Sequence, residues 1–560
     1  MKIKYAQLAL DEIPRLLSSQ DRNPFSPSYG SFNREFWHTR TKCFPDSIAQ
    51  FGTLSLALIF AHKFPGGEEY YQNKEIKKWT LAGIINWMKI QHADGSYDEF
   101  YPNERGWAGP TGFLLYAILR SYEVLEKNFP ANLKDDFFEA VKRSAWFLAT
   151  REESGVLANH HAMALLPIYQ SYYHLKDHDP LFAEKLLQKF NERLAVFISY
   201  CYDEGWCLEY DGVDPGYLSG TVSFLSKMQR YMTGEEPWTE KIQNIINKAV
   251  DFSSFFFYPN GSFGGTLGSR QTLHFYAHGY ELQAQRNGLA RAMANFGLES
   301  LAQGKVVPPT IQDDRYFLYR TGEFLEAYID YQENDNLPQL PCQSPANFEK
   351  FFPQAKIFIK NTPKYYILLN LAKGGVLKVF NKESKKLFFS DDGLVATLDN
   401  GQRMSTQWIG EEYKINRSDK TLEVSGNFHQ IPYKYFTPLT FSAFIIFMVL
   451  TGWNARVADV IKGVIRNLLM TKSSASTISF TRKFIFADDK ITVINDLASR
   501  VKVIYLRVGG QFASRYVPQS RYFQQEELAN KYWDIKNPDF SQPIEVNCNF
   551  ITTDISLNQD

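Results

Sequence analysis

The sequence predicts two architectures in series: an N-terminal (α/α) toroid of about five helical hairpins, then a C-terminal antiparallel β-sandwich. Three observations carry this. Apolar residues recur every three to four positions through ten segments between 41 and 333, the period of helices with one buried face. Three loops in that region repeat one pattern. Beyond 347 the apolar period drops to two, the period of a strand with one face inward.

The chain has 560 residues, more than one ordinary core holds. Its 44 % hydrophobic composition is that of a globular protein. Lys+Arg and Asp+Glu both number 61, so the net charge is zero and no nucleic-acid footprint exists. Five scattered cysteines (Cys43, Cys201, Cys207, Cys342, Cys548) show no metal-type spacing and read as reduced thiols. The opening MKIKYAQLALDEIPRLL has no long apolar core and includes Asp11 and Glu12. It is not a secretory signal, and the expected compartment is the cytoplasm, with a peripheral place at the inner membrane face as the variant of that expectation.

Residues 1–40 are rich in turn formers and read as a short helix and an arm lying on the next domain. The helical segments are 51–64, 76–90, 113–125, 137–148, 161–175, 182–202, 217–232, 242–257, 281–301 and 324–331. Short loops join most of them, so neighbours run antiparallel. The repeating loops are Gln91-His92-Ala93-Asp94-Gly95-Ser96-Tyr97, Tyr202-Asp203-Glu204-Gly205-Trp206 and Tyr258-Pro259-Asn260-Gly261-Ser262-Phe263. Each closes a helix with a polar residue, a Gly and an aromatic, which suits a left-handed helix terminus. Recurrence at this scale implies stacked helical hairpins.

Residues 334–347 hold three prolines and no period, and form the linker. The strands of 348–560 fall near 365–371, 375–380, 420–424, 477–486, 490–495 and 501–508. An apolar helical insertion at about 435–472 breaks them. Residues 441–450 (FSAFIIFMVL) are strongly apolar; 457–469 is amphipathic, with Arg456, Lys462, Arg466 and Lys472 on or near its polar side. A bilayer span needs about 20 apolar residues, and this run is diluted by Pro438, Thr440, Ser442, Thr451 and Asn454. The expectation is a buried helical insertion packed on the toroid, with a hairpin lying on an anionic membrane face through 435–472 as the alternative and a transmembrane span as a third.

Three polar stretches fall at helix starts on one rim of the toroid. In Ala158-Asn159-His160-His161, adjacent helical residues point about 100° apart, so at most two of the three polar side chains aim at one pocket. Asn159 and His160 are preferred, with His161 behind them. In Glu209-Tyr210-Asp211-Gly212-Val213-Asp214-Pro215-Gly216-Tyr217, Asp214-Pro215 fits an N-cap followed by Pro at N1. Tyr217 then lies in the first turn, where the helix dipole favours a phenolate. In the third stretch, Arg270 can fork onto a carboxylate; His274 and His278, four apart, would share a helix face, with Glu281 behind them. Glu99, Glu104 and Trp107 follow the first repeating loop onto the same rim, Trp107 as a stacking platform for a sugar.

This arrangement resembles the heparinase II/III and alginate lyase type of polysaccharide lyase. The resemblance rests on domain order over roughly 41–540, on Asn159-His160 at a helix start, and on a Tyr in the next hairpin. It implies that Asn159 and His160 neutralise a uronate carboxylate, that Tyr217 (Tyr210 competing) is the base, and that Arg270 binds the carboxylate or lowers the tyrosine pKa. His161, Glu99, Glu104, Trp107, Glu209, His274, His278 and Glu281 would bind substrate, an acidic polysaccharide or oligosaccharide. The chemistry implied is β-elimination: the C5 proton becomes acidic once the carboxylate charge is neutralised, and tyrosine, ordinarily near pKa 10, needs cationic neighbours to remove it. No metal site is expected. There is no HExxH, and the β region has a single histidine, His429, where many such lyases hold zinc; zinc or calcium is the alternative to no cofactor. The missing signal and the apolar insertion depart from the degradative members and point to trimming or modification of a nascent or lipid-linked polysaccharide. A uronyl C5-epimerase, a glycoside hydrolase using two of the carboxylates, and a non-catalytic glycan-binding or assembly protein are the competing functions.

Overall fold

A computed structural model describes residues 1–558 apart from 153–154, 334–336, 410–412, 432–434, 469–471, 473 and 518–521. The first three residues of the expected linker, and Leu469 of the amphipathic stretch, lie outside the described residues.

The N-terminal region contains α1 (Ile3–Leu10), α2 (Ile13–Ser19), α3 (Arg34–Trp37), α4 (Gly52–Ala61), α5 (Lys74–Lys89), α6 (Leu114–Leu125), α7 (Lys134–Thr150), α8 (Ala158–Leu175), α9 (Pro180–Ser199), α10 (Pro215–Met228), α11 (Thr239–Ser254), α12 (Ala277–Gln283), α13 (Gly288–Ala302) and α14 (Asp314–Asp330). The even-numbered helices from α4 to α14 pack side by side in sequence, and α14 returns to pack on α4, closing a ring of six. Helices α1, α5, α7, α9, α11 and α13 back them from outside. The sequences explain the two layers. Every residue of α4 from Gly52 to Phe60 is buried, so it is covered on all sides. In α11 the buried residues as far as Val250 are Ile242, Ile245, Ile246, Ala249 and Val250, the three-to-four spacing of one covered stripe, and the last turn is covered more widely.

The ring thus holds one pair more than the periodicity suggested. The sixth outer helix is α1, from the segment read as an arm; Tyr5 donates to Glu281 at 2.9 Å and ties α1 to α12. The single helix read over 281–301 is two, because the Asn287 side chain caps the backbone N–H groups of Leu289 and Ala290 and starts α13 afresh.

The C-terminal region stacks two antiparallel sheets. A five-stranded meander of β1 (Phe348–Phe352), β2 (Ile357–Asn361), β3 (Tyr365–Asn370), β4 (Val376–Asn381) and β5 (Lys386–Asp391) lies between the helices and a ten-stranded sheet. Strand alternation shows the layering. Tyr366 and Leu368 join the helical core, while Tyr365, Ile367 and Leu369 join the core between the sheets. All six residues of β3 are buried in consequence.

The insertion interrupts the larger sheet between Gln430 and Ala475 as a helical hairpin, α15 (Pro438–Thr451) and α16 (Ala455–Arg466). A capping box between Thr437 and Thr440, with Pro438 at N1, starts α15. Among the described residues no helix is long and apolar enough to cross a membrane.

Candidate functional site

The three repeating loops share one geometry. In each, the first turn residue donates to the carbonyl four residues on: His92 to Ser96 (2.9 Å), Tyr202 to Trp206 (2.8 Å) and Tyr258 to Ser262 (3.0 Å). Gly95, Gly205 and Gly261 take φ of 91°, 100° and 88°. A Cβ on Gly205 would also lie 2.2 Å from the Lys248 carbonyl, so two constraints require glycine there.

Beyond these loops, the starts of α8, α10 and α14 surround a cavity of about 230 Å³. Its lining includes Glu99, Phe100, Asn159, His160, Tyr210, Tyr217, Tyr276, Arg315, Tyr316 and Tyr319, with Val517 from the β region closing one side. That volume is below the roughly 300–1,000 Å³ of drug-sized pockets and is on the order of one sugar ring.

At the start of α8 the orphan N–H of Asn159 donates to Glu209 Oε1 at 2.7 Å, and Asn159 Nδ2 donates to Oε2. Glu209 reaches this place because its segment bridges Leu157. It is fully buried; burial pushes its carboxyl well above the ordinary range, and the two Asn159 bonds pull the other way. Asn159 is thereby fixed in orientation. His160, one residue on, is half-buried and faces the cavity. His161 turns into the core between Trp107 and Tyr200, ring centroids 5.2 and 5.3 Å away.

Asp214 caps α10, accepting from Tyr217 N at 3.2 Å, and Pro215 occupies N1. It also accepts from Arg270 N at 2.9 Å and from the Thr272 hydroxyl. Tyr217 is the one residue of α10 that is not fully buried, because it faces the cavity. The expected lowering of its pKa is not found. Burial, then the neighbouring Tyr210, Tyr316 and Asp214, push the phenol well above its usual value. Burial is the main reason, and the Asp214 carboxylate, which already occupies the positive end of α10, adds to it.

Tyr210 stands in the left-handed region at φ 64°, a conformation costing a bulky L-residue about 1–2 kcal/mol. Its N–H donates to Val156 O at 2.7 Å, and Arg270 covers its ring with the guanidinium carbon 3.8 Å from the centroid. Arg270 is fully buried and does not line the cavity. Arg270 Nη2 lies 3.8 Å from Asp211, whose other oxygen accepts from Arg515 at 2.9 Å. Arg270 is therefore a support for Tyr210 rather than a cavity-lining fork.

Glu99 is paired with Arg315, which also covers the Phe100 ring at 4.5 Å. Glu104 lies behind them, accepting from the Glu99 and Phe100 N–H groups at 3.1 and 2.7 Å; burial raises its carboxyl to about 7.

Four expected residues lie elsewhere. Trp107 is 2 % exposed, with Nε1 donating to Leu148 O at 3.2 Å; it is core, not a platform. His274 precedes α12, which starts at Ala277, so it shares no helix face with His278. It is buried against Tyr316 and Tyr522, and burial holds it neutral. His278 joins Asp330 (2.8 Å), Arg230 (3.1 Å) and Glu326 in a separate cluster. Glu281 is held by Tyr5 and Arg291.

Arg315, Tyr316, Tyr276 and Tyr319 line the cavity without having been anticipated. A signal for Tyr316 was present: Asp214-Pro-Gly-Tyr217 and Asp313-Asp-Arg-Tyr316 share an Asp-x-x-Tyr spacing. In both, the Asp caps an inner helix and accepts the N–H of the Tyr three residues on. Among the described residues no group of three or more His, Cys, Asp or Glu is arranged to hold a metal ion.

No family model and no curated protein matches the sequence. The fold is similar to solved polysaccharide lyases. Heparinase III aligns with a TM-score of 0.44 at 11 % identity over 88 % of this chain and 81 % of its own. Heparan sulfate lyase HepC from Pedobacter heparinus gives 0.37 at 12 %, over 90 % and 76 %. A glycosyl hydrolase family 88 protein from Bacteroides vulgatus gives 0.36 at 12 %, over 58 % and 98 %. These are likenesses of fold.

Proposed function

We propose that the cavity binds a uronate unit of an acidic polysaccharide and cleaves the chain there by β-elimination. The observation that carries this reading is the lining itself. Asn159, His160, Arg315 and five tyrosines (Tyr210, Tyr217, Tyr276, Tyr316, Tyr319) face the cavity, while Glu99, its lining carboxylate among the described residues, is paired with Arg315. Such a surface offers hydrogen-bond donors and phenols, suited to an anion with a removable proton. It suits a glycosidase less well, since that chemistry takes two carboxylates flanking one bond and Glu209 stays buried behind Asn159.

Asn159 and His160 neutralise the substrate carboxylate. The C5–H bond then breaks toward a tyrosine, its electron pair forms the C4–C5 double bond, and the C4–O bond breaks. The departing oxygen takes a proton, so no water is consumed. The two candidate tyrosines divide these roles. Tyr217, whose phenol is held well above its usual value, keeps its proton and supplies it to the leaving oxygen. Tyr210, beneath the Arg270 cation, enters the step as the phenolate and accepts the C5 proton, because a positive charge over the ring stabilises its deprotonated form.

The test is ultraviolet absorbance of the unsaturated product on a panel of uronate polysaccharides, with Tyr210→Phe, Tyr217→Phe and Asn159→Ala alongside. Absorbance that rises in wild type and is lost in all three supports the reading. A flat wild-type trace with rising reducing ends would replace it with hydrolysis. Deuterium uptake at C5 without a double bond would replace it with epimerisation.

A further inference from the structure

The hairpin α15–α16 leaves an unusually apolar surface in water. On α15, Leu439 is 81 % exposed, Ile446 59 %, Val449 53 % and Leu450 67 %. At 100° per residue these four share one side of the helix. On α16, Val460 and Val464, with Leu468 just beyond its end, are spaced by four and are likewise exposed. The opposite sides make a small core with the toroid rim: Met448 and Ala458 pack with Tyr101, supported by Phe444, Ile445, Ile461 and Ile465. Asn103 Nδ2 donates to Met448 O at 3.1 Å and Arg105 Nε to Gly452 O at 2.9 Å. Continuous apolar patches of this kind on a soluble surface mark an interaction site.

We propose that this hairpin seats the protein on the surface of an anionic lipid bilayer. Three observations select that occupant. First, α15 has 14 residues, about 21 Å of helix, short of the roughly 30 Å hydrocarbon core, so it lies along the interface. Second, exposed aromatics bracket the aliphatic centre: Tyr435 and Phe436 before α15, Trp453 after it. Aromatic ends around an aliphatic middle are the pattern of an interfacial segment. Third, Arg456 and Lys472 are the exposed cations of the hairpin, while Lys462 faces Glu104 of the toroid and the one acid, Asp459, is paired with Arg151. The two exposed cations attract anionic headgroups and would oppose a second copy docking on the same face. The hairpin stands on the loop that carries Glu99 and Phe100, so docking brings the cavity to the membrane surface. If the cavity is a lyase site as proposed above, its substrate is then a membrane-associated acidic glycan; the docking itself does not depend on that reading.

The experiment is flotation of the full chain with phosphatidylcholine vesicles and with vesicles that also contain phosphatidylglycerol. Trp453 emission is read as the difference between wild type and Trp453→Phe. Wild type is expected to float with the anionic vesicles, to be released by salt, and to show a blue-shifted Trp453 signal quenched by brominated acyl chains. The double variant Leu439→Ser/Leu450→Ser, folded by its melting temperature, is expected to bind at least about tenfold more weakly, since it removes two large apolar side chains from the lipid-facing side. Equal binding by the variant, or no wild-type binding to either vesicle, overturns the proposal. So does self-association of wild type that the variant abolishes without any vesicle binding. None of these readouts uses turnover, so failure here is distinct from failure of the lyase reading.

Discussion

Removing the charge of Arg270 should slow elimination without emptying the cavity. The guanidinium carbon sits 3.8 Å from the Tyr210 ring centroid and Arg270 is fully buried. A desolvated cation–π contact is worth about 2 kcal/mol. As the base Tyr210 must start as a phenolate, which the cation stabilises, so losing that contact leaves roughly 30-fold less of the active form below its pKa and Arg270→Met should lower kcat/KM there by about that factor. Asp211 is not abandoned in this variant, because Arg515 still holds its second oxygen at 2.9 Å. Arg270→Lys keeps the charge but not the planar stack, and should fall between. The assay is the pH profile of kcat/KM from product absorbance, with melting temperature as the fold control. The limb reporting the base should move to higher pH by about 1.5 units in Arg270→Met, one unit being worth about 1.36 kcal/mol. A rate within twofold of wild type would refute the reasoning. A slower rate with an unmoved limb would refute it too, leaving Arg270 a purely structural part and moving the base to Tyr217 or His160.

Three further outcomes are expected. Asn159→Ala should lower stability by roughly 1–3 kcal/mol, since it strips the side-chain partner from buried Glu209; calorimetry checks this, and adding Glu209→Gln should recover part of the loss. Glu104 has a folded pKa of about 7 against an ordinary 4.5, so between those values the folded state binds a proton that the unfolded state has lost. Its contribution is therefore present at low pH and falls as pH rises through 7; the melting temperature of wild type minus Glu104→Gln should shrink by roughly 2 °C or more between pH 5 and pH 8. Trp107→Phe should cost about 1–3 kcal/mol of stability as a core change while leaving KM within twofold, whereas a platform for sugar would raise KM strongly.

The helical repeat, the change of period past the linker and the grouping of Asn159, His160, Tyr210 and Tyr217 were legible because each depends on local pattern. A helix start is written in a few residues, and Asp214-Pro215 states its own cap. What was not legible depended on partners far along the chain. Glu209 looks like a free loop carboxylate until the bridge to Leu157 places it under α8. Trp107 follows a rim loop, but its direction is set by the Leu148 carbonyl. The tyrosine environment was misread for the same reason: the dipole argument for Tyr217 ignored the burial that its surroundings impose, to which Tyr210, Tyr316 and Asp214 add. Periodicity located the insertion as well, yet it cannot distinguish an apolar helix covered by protein from one left bare. Exposure of Leu439 and Leu450 is a property of the assembled surface.

The same accounting explains why the cavity is lined by donors rather than by free carboxylates. In a closed ring the inner helices open their N-termini on one rim, and each leaves orphan N–H groups there. Glu209 satisfies α8, Asp214 satisfies α10 and Asp313 satisfies α14. Three carboxylates from the rim are thereby engaged at helix starts. What remains facing the cavity is an amide, an imidazole, a guanidinium and a set of phenols. Glu99 is the exception, and Arg315 pairs with it. A site built this way presents donors without competing negative charge, so the placement of acids that the ring's folding requires is also the placement that the proposed acidic glycan would require.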